Sequence, residues 1–187
     1  TVGLIQTFAT DDTAGNLERT IEKIARAAKN GAQIICLQEL FHTRYFPQRE
    51  KTDFTHLAET IPGETTNTLA HIAKEHGVVV IIPLFEKTAD GKYYNSAAVA
   101  DADGKLLETY RKIHVPHDEL FYEKDYFAAG NLGFRVYRTR HADFAVLICY
   151  DQWFPEAARA AVLQGADILF YPTAIGWIKD YVAPDGD

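Results

Sequence analysis

The chain has 187 residues, a net charge of −7 at neutral pH and a 47% hydrophobic content. That is enough apolar material to bury a substantial core, predicts one α/β domain over residues 1–187, and excludes disorder as the main state. The acidic balance, with no run of Lys or Arg, argues against nucleic acid or an anionic membrane as a partner, and no apolar segment reaches the length of a membrane span.

In chain order, residues 2–6 read as a short apolar strand. A helix follows over about residues 13–29, because Leu17, Ile21, Ile24 and Ala28 recur at three- and four-residue intervals and Gly31 falls where a C-terminal cap belongs. Residues 34–37 form the next strand and deliver Glu39 at its end. This strand–helix–strand order predicts a parallel crossover. A loop rich in aromatic and charged residues (41–54) leads past Pro62-Gly63 into a helix over about 65–76. Residues 78–85 are so uniformly apolar that a strand buried on both faces is expected. Residues 93–100 and 105–110 flank Asp101-Ala102-Asp103-Gly104 and predict a hairpin, whereas 111–130 has no sustained period. Residues 133–139 and 143–148 predict a second hairpin. Pro155 then opens an alanine-rich helix that Gly165 ends, and 168–171 is a last strand. With Cys36 and Cys149 the only cysteines, no disulfide framework is expected, and with no charged, apolar leader the sequence reads as cytoplasmic. The chain starts without Met and stops in the turn-like Pro184-Asp185-Gly186-Asp187, so a C-terminal part is expected to be missing.

Three side chains stand at predicted strand exits: Glu39, Lys112 and Cys149. A thiol at a strand-to-turn junction is held by rigid structure while facing a cleft, as nucleophilic catalysis requires. Only the thiolate attacks, so Cys149 needs a base or cation nearby. A carboxylate can take the thiol proton and return it to a leaving amine, and an ammonium can stabilise a developing oxyanion. The spacing also fits a cysteine that is a small core residue and a surface ion pair for Glu39 and Lys112, and spacing alone does not choose.

The local wording does choose. Gln38-Glu39-Leu40-Phe41, Tyr110-Arg111-Lys112-Ile113-His114 and Ile148-Cys149-Tyr150-Asp151 resemble, in order, the three signature blocks of the nitrilase, or carbon–nitrogen hydrolase, superfamily. The resemblance covers nearly the whole chain. It implies a four-layer α-β-β-α sandwich that self-associates into a homo-oligomer. It also implies Glu39 as general base and acid, Lys112 as the oxyanion-stabilising cation and Cys149 as nucleophile, with no cofactor. The family's second glutamate is matched by Glu123, in Tyr122-Glu123-Lys124-Asp125-Tyr126-Phe127, in preference to Glu119.

Within the superfamily, residues 151–159, Gln164-Gly165-Ala166 and Tyr171-Pro172-Thr173-Ala174-Ile175-Gly176 resemble the branch that hydrolyses N-carbamoylputrescine to putrescine, ammonia and carbon dioxide through a carbamoyl-thioester. Branches acting on N-carbamoyl amino acids carry an arginine shortly after the cysteine, where this chain has Gln152 and Trp153. A small ureido or amide substrate with a cationic amine is therefore expected, among acidic and aromatic groups. The candidates to bind it are Tyr45, Asp118, Glu119, Tyr122, Asp125 and Trp153, with the backbone N–H of Tyr150 as an oxyanion donor. A β-ureidopropionase, an ω-amidase, a true nitrilase or a non-catalytic scaffold with the same fold are the alternatives. The run His114-x-x-His117-Asp118-Glu119 lacks a second ligand pair in a regular element, so no metal is expected. Cys36 reads as core.

Overall fold

The computed structural model describes residues 1–175; Gly176 of the last motif and the terminal run 184–187 lie outside the described residues. Strands β1 (Val2–Leu4), β2 (Ile34–Cys36), β3 (Val79–Lys87), β4 (Tyr93–Ala100) and β5 (Tyr110–Arg111) form one sheet in that order. Strands β6 (Val136–Arg138), β7 (Asp143–Val146) and β8 (Ile168–Phe170) form a second. Helices α1 (Thr13–Lys29) and α2 (Glu64–His76) make the crossovers β1–α1–β2 and β2–α2–β3, both parallel, and α3 (Pro155–Leu163) makes the parallel crossover from β7 to β8. Parallel neighbours require such crossovers, and the result is the expected α-β-β-α layering.

Side-chain alternation on β3 explains why that strand is apolar throughout. Val80, Ile82 and Leu84 face a core shared with Ile24 of α1 and Leu69 and Ala73 of α2. Val79 and Ile81 face a second core between the sheets, with Val99, Phe144, Val146 and Phe170. A third cluster, Leu40, Phe46, Phe85, Val115 and Phe127, ties the 41–54 loop to the loop after β5. The aromatic content of those unperiodic loops is thus core material.

Helix α1 keeps its predicted bounds. Asp12 caps it by accepting from the Gly15 N–H, and Gly31 follows the Asn30 cap at φ +89°, a conformation glycine adopts without strain. The predicted strand 105–110 is the main departure. Ala100 pairs with Leu106 but Ala97 pairs with Tyr110, so four steps on the return strand oppose three on β4. The extra residue makes a bulge, and regular pairing resumes only at Tyr110, two residues before Lys112.

Strand direction sets where the chemistry emerges. Strand β5 runs antiparallel to β4, which runs antiparallel to β3, so β5 points the same way as β2. Glu39 and Lys112 therefore leave the sheet at one end. The peptide after β8 reaches that end as well, because the Ala174 N–H donates to Glu39 Oε2 at 2.9 Å. Among the described residues no helix is long and apolar enough to cross a membrane.

Candidate active site

Cys149 opens a short helical turn, Cys149–Trp153, directly after the buried run ending at Ile148. Its backbone sits at φ +43°, a region that typically costs a non-glycine residue ~1–3 kcal/mol and persists only when the surroundings over-determine it. Two sets of bonds do so here. The Cys149 N–H donates to the Pro172 carbonyl at 2.9 Å, pinning the turn to the segment after β8. The fully buried Asp151 carboxylate closes the turn from beneath: its Oδ2 accepts from the Ile148 N–H at 2.8 Å and the Tyr110 hydroxyl at 2.7 Å. Asp151 Oδ1 accepts from the His114 N–H at 3.0 Å and lies 2.7 Å from His114 Nδ1. Tyr110 and His114 stand two residues either side of Lys112, so this one carboxylate fixes the lysine segment against the thiol turn. The His114 ring also stacks on Phe154, with centroids 3.7 Å apart.

Lys112 Nζ is enclosed by two carboxylates. It donates to Glu39 Oε1 at 2.8 Å and to Glu123 at 2.8 and 2.7 Å, and all three side chains are buried. Asn95 Nδ2 also donates to Glu39 Oε1, at 2.7 Å, and the Tyr45 hydroxyl donates to Glu123 Oε1 at 2.6 Å. Gly130 is needed where the chain passes this segment. Its N–H donates to the Lys112 carbonyl at 2.8 Å, and a Cβ there would collide with the Arg111 carbonyl and lie 2.9 Å from that of Lys112.

The charges follow from this crowding. Burial works against the Lys112 ammonium, but Glu39 and Glu123 raise its pKa well above the ordinary lysine value. One ammonium cannot balance two buried carboxylates, so burial, together with the charge of Glu39, pushes Glu123 up to about 7 despite Lys112 and Tyr45. Burial and the Glu39 carboxylate hold the Cys149 thiol far above its usual range, opposed by Lys112 and the Ala174 N–H. The resting site thus holds a neutral thiol and a permanent ammonium shared by two carboxyl groups.

A cavity of about 690 Å³ opens on Glu39, lined by Tyr45, Arg44, Arg49, Phe121 and Ile175 among others. A second, of about 510 Å³, is lined by His114, His117, Asp118, Lys124, Tyr150 and Phe154. Of the side chains expected to hold an amine, Tyr45 reaches the first cavity and Asp118 the second; Tyr150, expected to act through its backbone N–H, also lines the second. Tyr122 packs edge-on against His117, and Asp125 accepts from the Lys51 N–H at 3.1 Å, joining two loops. Trp153 is 66% exposed and lines neither cavity, and Glu119 lines neither as well. Among the described residues, no group of three His, Cys, Asp or Glu side chains is arranged to hold a metal ion. Cys36 is buried in the inter-sheet core, its thiol pushed up to about 12 by desolvation.

Sequence reasoning did not find Asp151, Asn95, Arg44 or Arg49. Asp151 lay inside a quoted motif, and two donors flanking Lys112 at even spacing were the available signal. Asn95 gave none, because its partner is 56 residues away.

Known proteins resemble this chain over most of its length. The carbon–nitrogen hydrolase family profile matches residues 1–185. An N-carbamoylputrescine amidase of Solanum lycopersicum is 49% identical over 178 residues, covering 94% of this chain and 59% of the relative. A citrullinase of Francisella tularensis is 42% identical, over 98% of this chain and 65% of the relative. The chain therefore spans less than two thirds of the length of these relatives. The crystal structure of a carbon–nitrogen hydrolase from Helicobacter pylori superposes with a TM-score of 0.91 at 38% identity, covering 99% of this chain and 63% of that one. With the signature blocks, the layered fold and the enclosed lysine all in place, the chain belongs to the carbon–nitrogen hydrolase family.

Proposed function

We propose that the protein hydrolyses the ureido carbon–nitrogen bond of N-carbamoylputrescine, with Cys149 as nucleophile, Glu39 as proton carrier and Lys112 as oxyanion partner. The observation that carries the chemistry is the buried Lys112 ammonium held between Glu39 and Glu123 beside the Cys149 turn. The 49% identity to the Solanum enzyme supports the substrate.

Because the thiol rests protonated, attack and proton transfer belong to one step. Cys149 Sγ bonds to the ureido carbon as its proton passes to Glu39. Lys112 and the Tyr150 N–H face the oxygen that becomes negative. Collapse expels ammonia, which takes the proton back from Glu39 and leaves an N-alkylcarbamoyl thioester on Cys149. Water, losing a proton to Glu39, then cleaves the thioester. The carbamic acid released loses carbon dioxide to give the amine, and the thiol is restored. Glu123 does not exchange this proton: it is engaged twice by Lys112 and once by Tyr45. Its work is to keep the ammonium in place.

A second reading has an observation of its own. Arg44 and Arg49 line the cavity over Glu39; Arg44 is paired with Asp11 at 2.9 Å, whereas a bound carboxylate would suit Arg49. Citrulline carries the same ureido group on an amino-acid head, and the 42% identical relative is a citrullinase. Ammonia release from N-carbamoylputrescine, citrulline, N-carbamoyl-β-alanine and a simple nitrile, each with wild type and Arg49→Ala, separates the two. Preference for the amine-bearing ureide, kept or raised in Arg49→Ala, is the proposed outcome. Preference for citrulline that collapses in Arg49→Ala replaces it with the second reading.

The reading further includes one catalytic domain, a cytoplasmic location and a homo-oligomer. Exposed Val162 and Leu163 at the end of α3 and exposed Trp153 just before it offer apolar side chains for self-association. Sedimentation giving only a monomer at micromolar concentration would remove that part.

A further inference from the structure

Glu39 has two carboxylate oxygens that the fold treats differently. Oε1 accepts from two side-chain donors, Asn95 Nδ2 at 2.7 Å and Lys112 Nζ at 2.8 Å. Oε2 accepts one backbone N–H, that of Ala174, at 2.9 Å. Among the described residues Oε2 therefore has no side-chain donor and is the oxygen left open to a proton. Asn95 is itself 1% exposed, on β4 opposite Phe85 of β3. Its backbone carbonyl accepts the Lys112 N–H at 2.8 Å. One residue therefore grips Glu39 through its side chain and Lys112 through its main chain.

The other end of the Asn95 amide is informative. Asn95 Oδ1 is buried and has no hydrogen-bond partner among the described residues. A buried acceptor left unpaired is unfavourable, and native structures keep few of them. Turning the amide over would not help, because Oδ1 would then face a carboxylate oxygen. The orphaned acceptor is what remains when the side chain is dedicated to donating to Glu39 Oε1.

We propose that Asn95 is a positioning residue that makes the Glu39 carboxylate one-sided. With Lys112 it saturates Oε1, so that the proton moving between Cys149 and the leaving group is carried on Oε2 alone. The proposal rests on Glu39 being the proton carrier, as argued above. Two consequences follow. The thiol and the carboxylate exchange the proton through one fixed oxygen, so Asn95 governs how readily Cys149 gives its proton up. It also fixes the carboxylate in one orientation, so its loss slows chemistry more than it weakens substrate binding.

The test uses the intact protein and two readouts, one of which needs no substrate. The first is the pH dependence of Cys149 alkylation by iodoacetamide, with Cys149→Ala as the blank for Cys36. The acid limb of that curve reports when the site as a whole can take up the thiol proton. In Asn95→Leu, similar in size but without a donor, this limb is expected to move up by about one to two pH units, the equivalent of one hydrogen bond to a charged group. In Asn95→Asp, which places a second carboxylate against Oε1, it should move further in the same direction. The second readout is turnover of the best ureido or amide substrate, where kcat is expected to fall roughly 100-fold while KM stays within about threefold. Ser96→Ala, the next residue on the strand, whose hydroxyl donates to Glu86 on another face, should leave the acid limb where it is. An unmoved acid limb in both Asn95 variants overturns the proposal even if kcat falls, because a merely structural role would lower activity without shifting the titration. If no ureide or amide turns over but the alkylation limb shifts, the substrate reading fails and the Asn95 proposal stands.

Discussion

Replacing Asp151 by Asn tests whether one carboxylate holds the thiol turn and the lysine segment together. The wild-type group receives four donors, two on each oxygen, at 2.7–3.0 Å. An amide keeps one acceptor, so whichever way it is turned its NH2 group faces two donors. Its least unfavourable placement points Nδ2 at the Tyr110 hydroxyl, which can rotate to accept, and orphans the Ile148 N–H. One buried unsatisfied N–H plus the lost charge assistance on the other bonds amounts to ~2–4 kcal/mol, roughly 5–15 °C in Tm for a domain of this size. Tyr110→Phe removes a single donor and should fall near ~1 kcal/mol. Asp151→Ala strands all four donors and should exceed both. Thermal unfolding by circular dichroism gives the ranking, and initial rates give its catalytic echo, since a turn strained at φ +43° that loses its clasp misaligns Sγ. A Tm for Asp151→Asn within about 2 °C of wild type, at unchanged kcat, would refute the reasoning.

Further outcomes follow from the same geometry. Glu123 has a folded pKa near 7 against an ordinary 4.5, so the folded state holds a proton that the unfolded chain releases. Its stabilisation is complete below about 4.5 and is lost as pH rises through about 7; the Tm of Glu123→Gln plotted against pH should lack that decline while kcat drops. Glu59 runs the other way. Burial opposes its charge, but His42 and Thr65 hold it down to about 2, so its contribution is present above 4.5 and disappears as pH falls toward 2. Glu59→Gln should flatten acid unfolding in that window. Gly130→Ala places a methyl group against the Arg111 and Lys112 carbonyls, and is expected to destabilise by ~1–3 kcal/mol and to reduce kcat by shifting Lys112, read by thermal unfolding and initial rates.

What could be read from the sequence was what covalent neighbours determine. A strand exit is a local property, so Glu39, Lys112 and Cys149 could be placed from the apolar runs before them, and the helix bounds from periodicity and caps. The family wording then supplied Glu123 and the layering of the sheets. What stayed hidden depends on pairs far apart in the chain: Tyr110 with Asp151 across 41 residues, Glu39 with Asn95 across 56, Tyr45 with Glu123 across 78. The bulge before Tyr110 was hidden for a related reason. Residue type suggests a strand over 105–110, but one extra residue against β4 is a matter of register, which tertiary pairing sets. Aromatic and acidic residues proposed for an amine pocket were chosen by chemistry without position. The fold sends Asp125 to a loop contact and leaves Trp153 at the surface, while Tyr45 does arrive at the cavity, bound to Glu123.

The most direct test of the account is the mass of the protein caught during turnover of N-carbamoylputrescine. Rapid acid quenching followed by intact-protein and peptide mass spectrometry should reveal a gain equal to the substrate less ammonia, confined to the peptide holding Cys149. It should be absent in Cys149→Ala. Ammonia release with no adduct, undiminished in Cys149→Ala, would contradict the thiol mechanism outright.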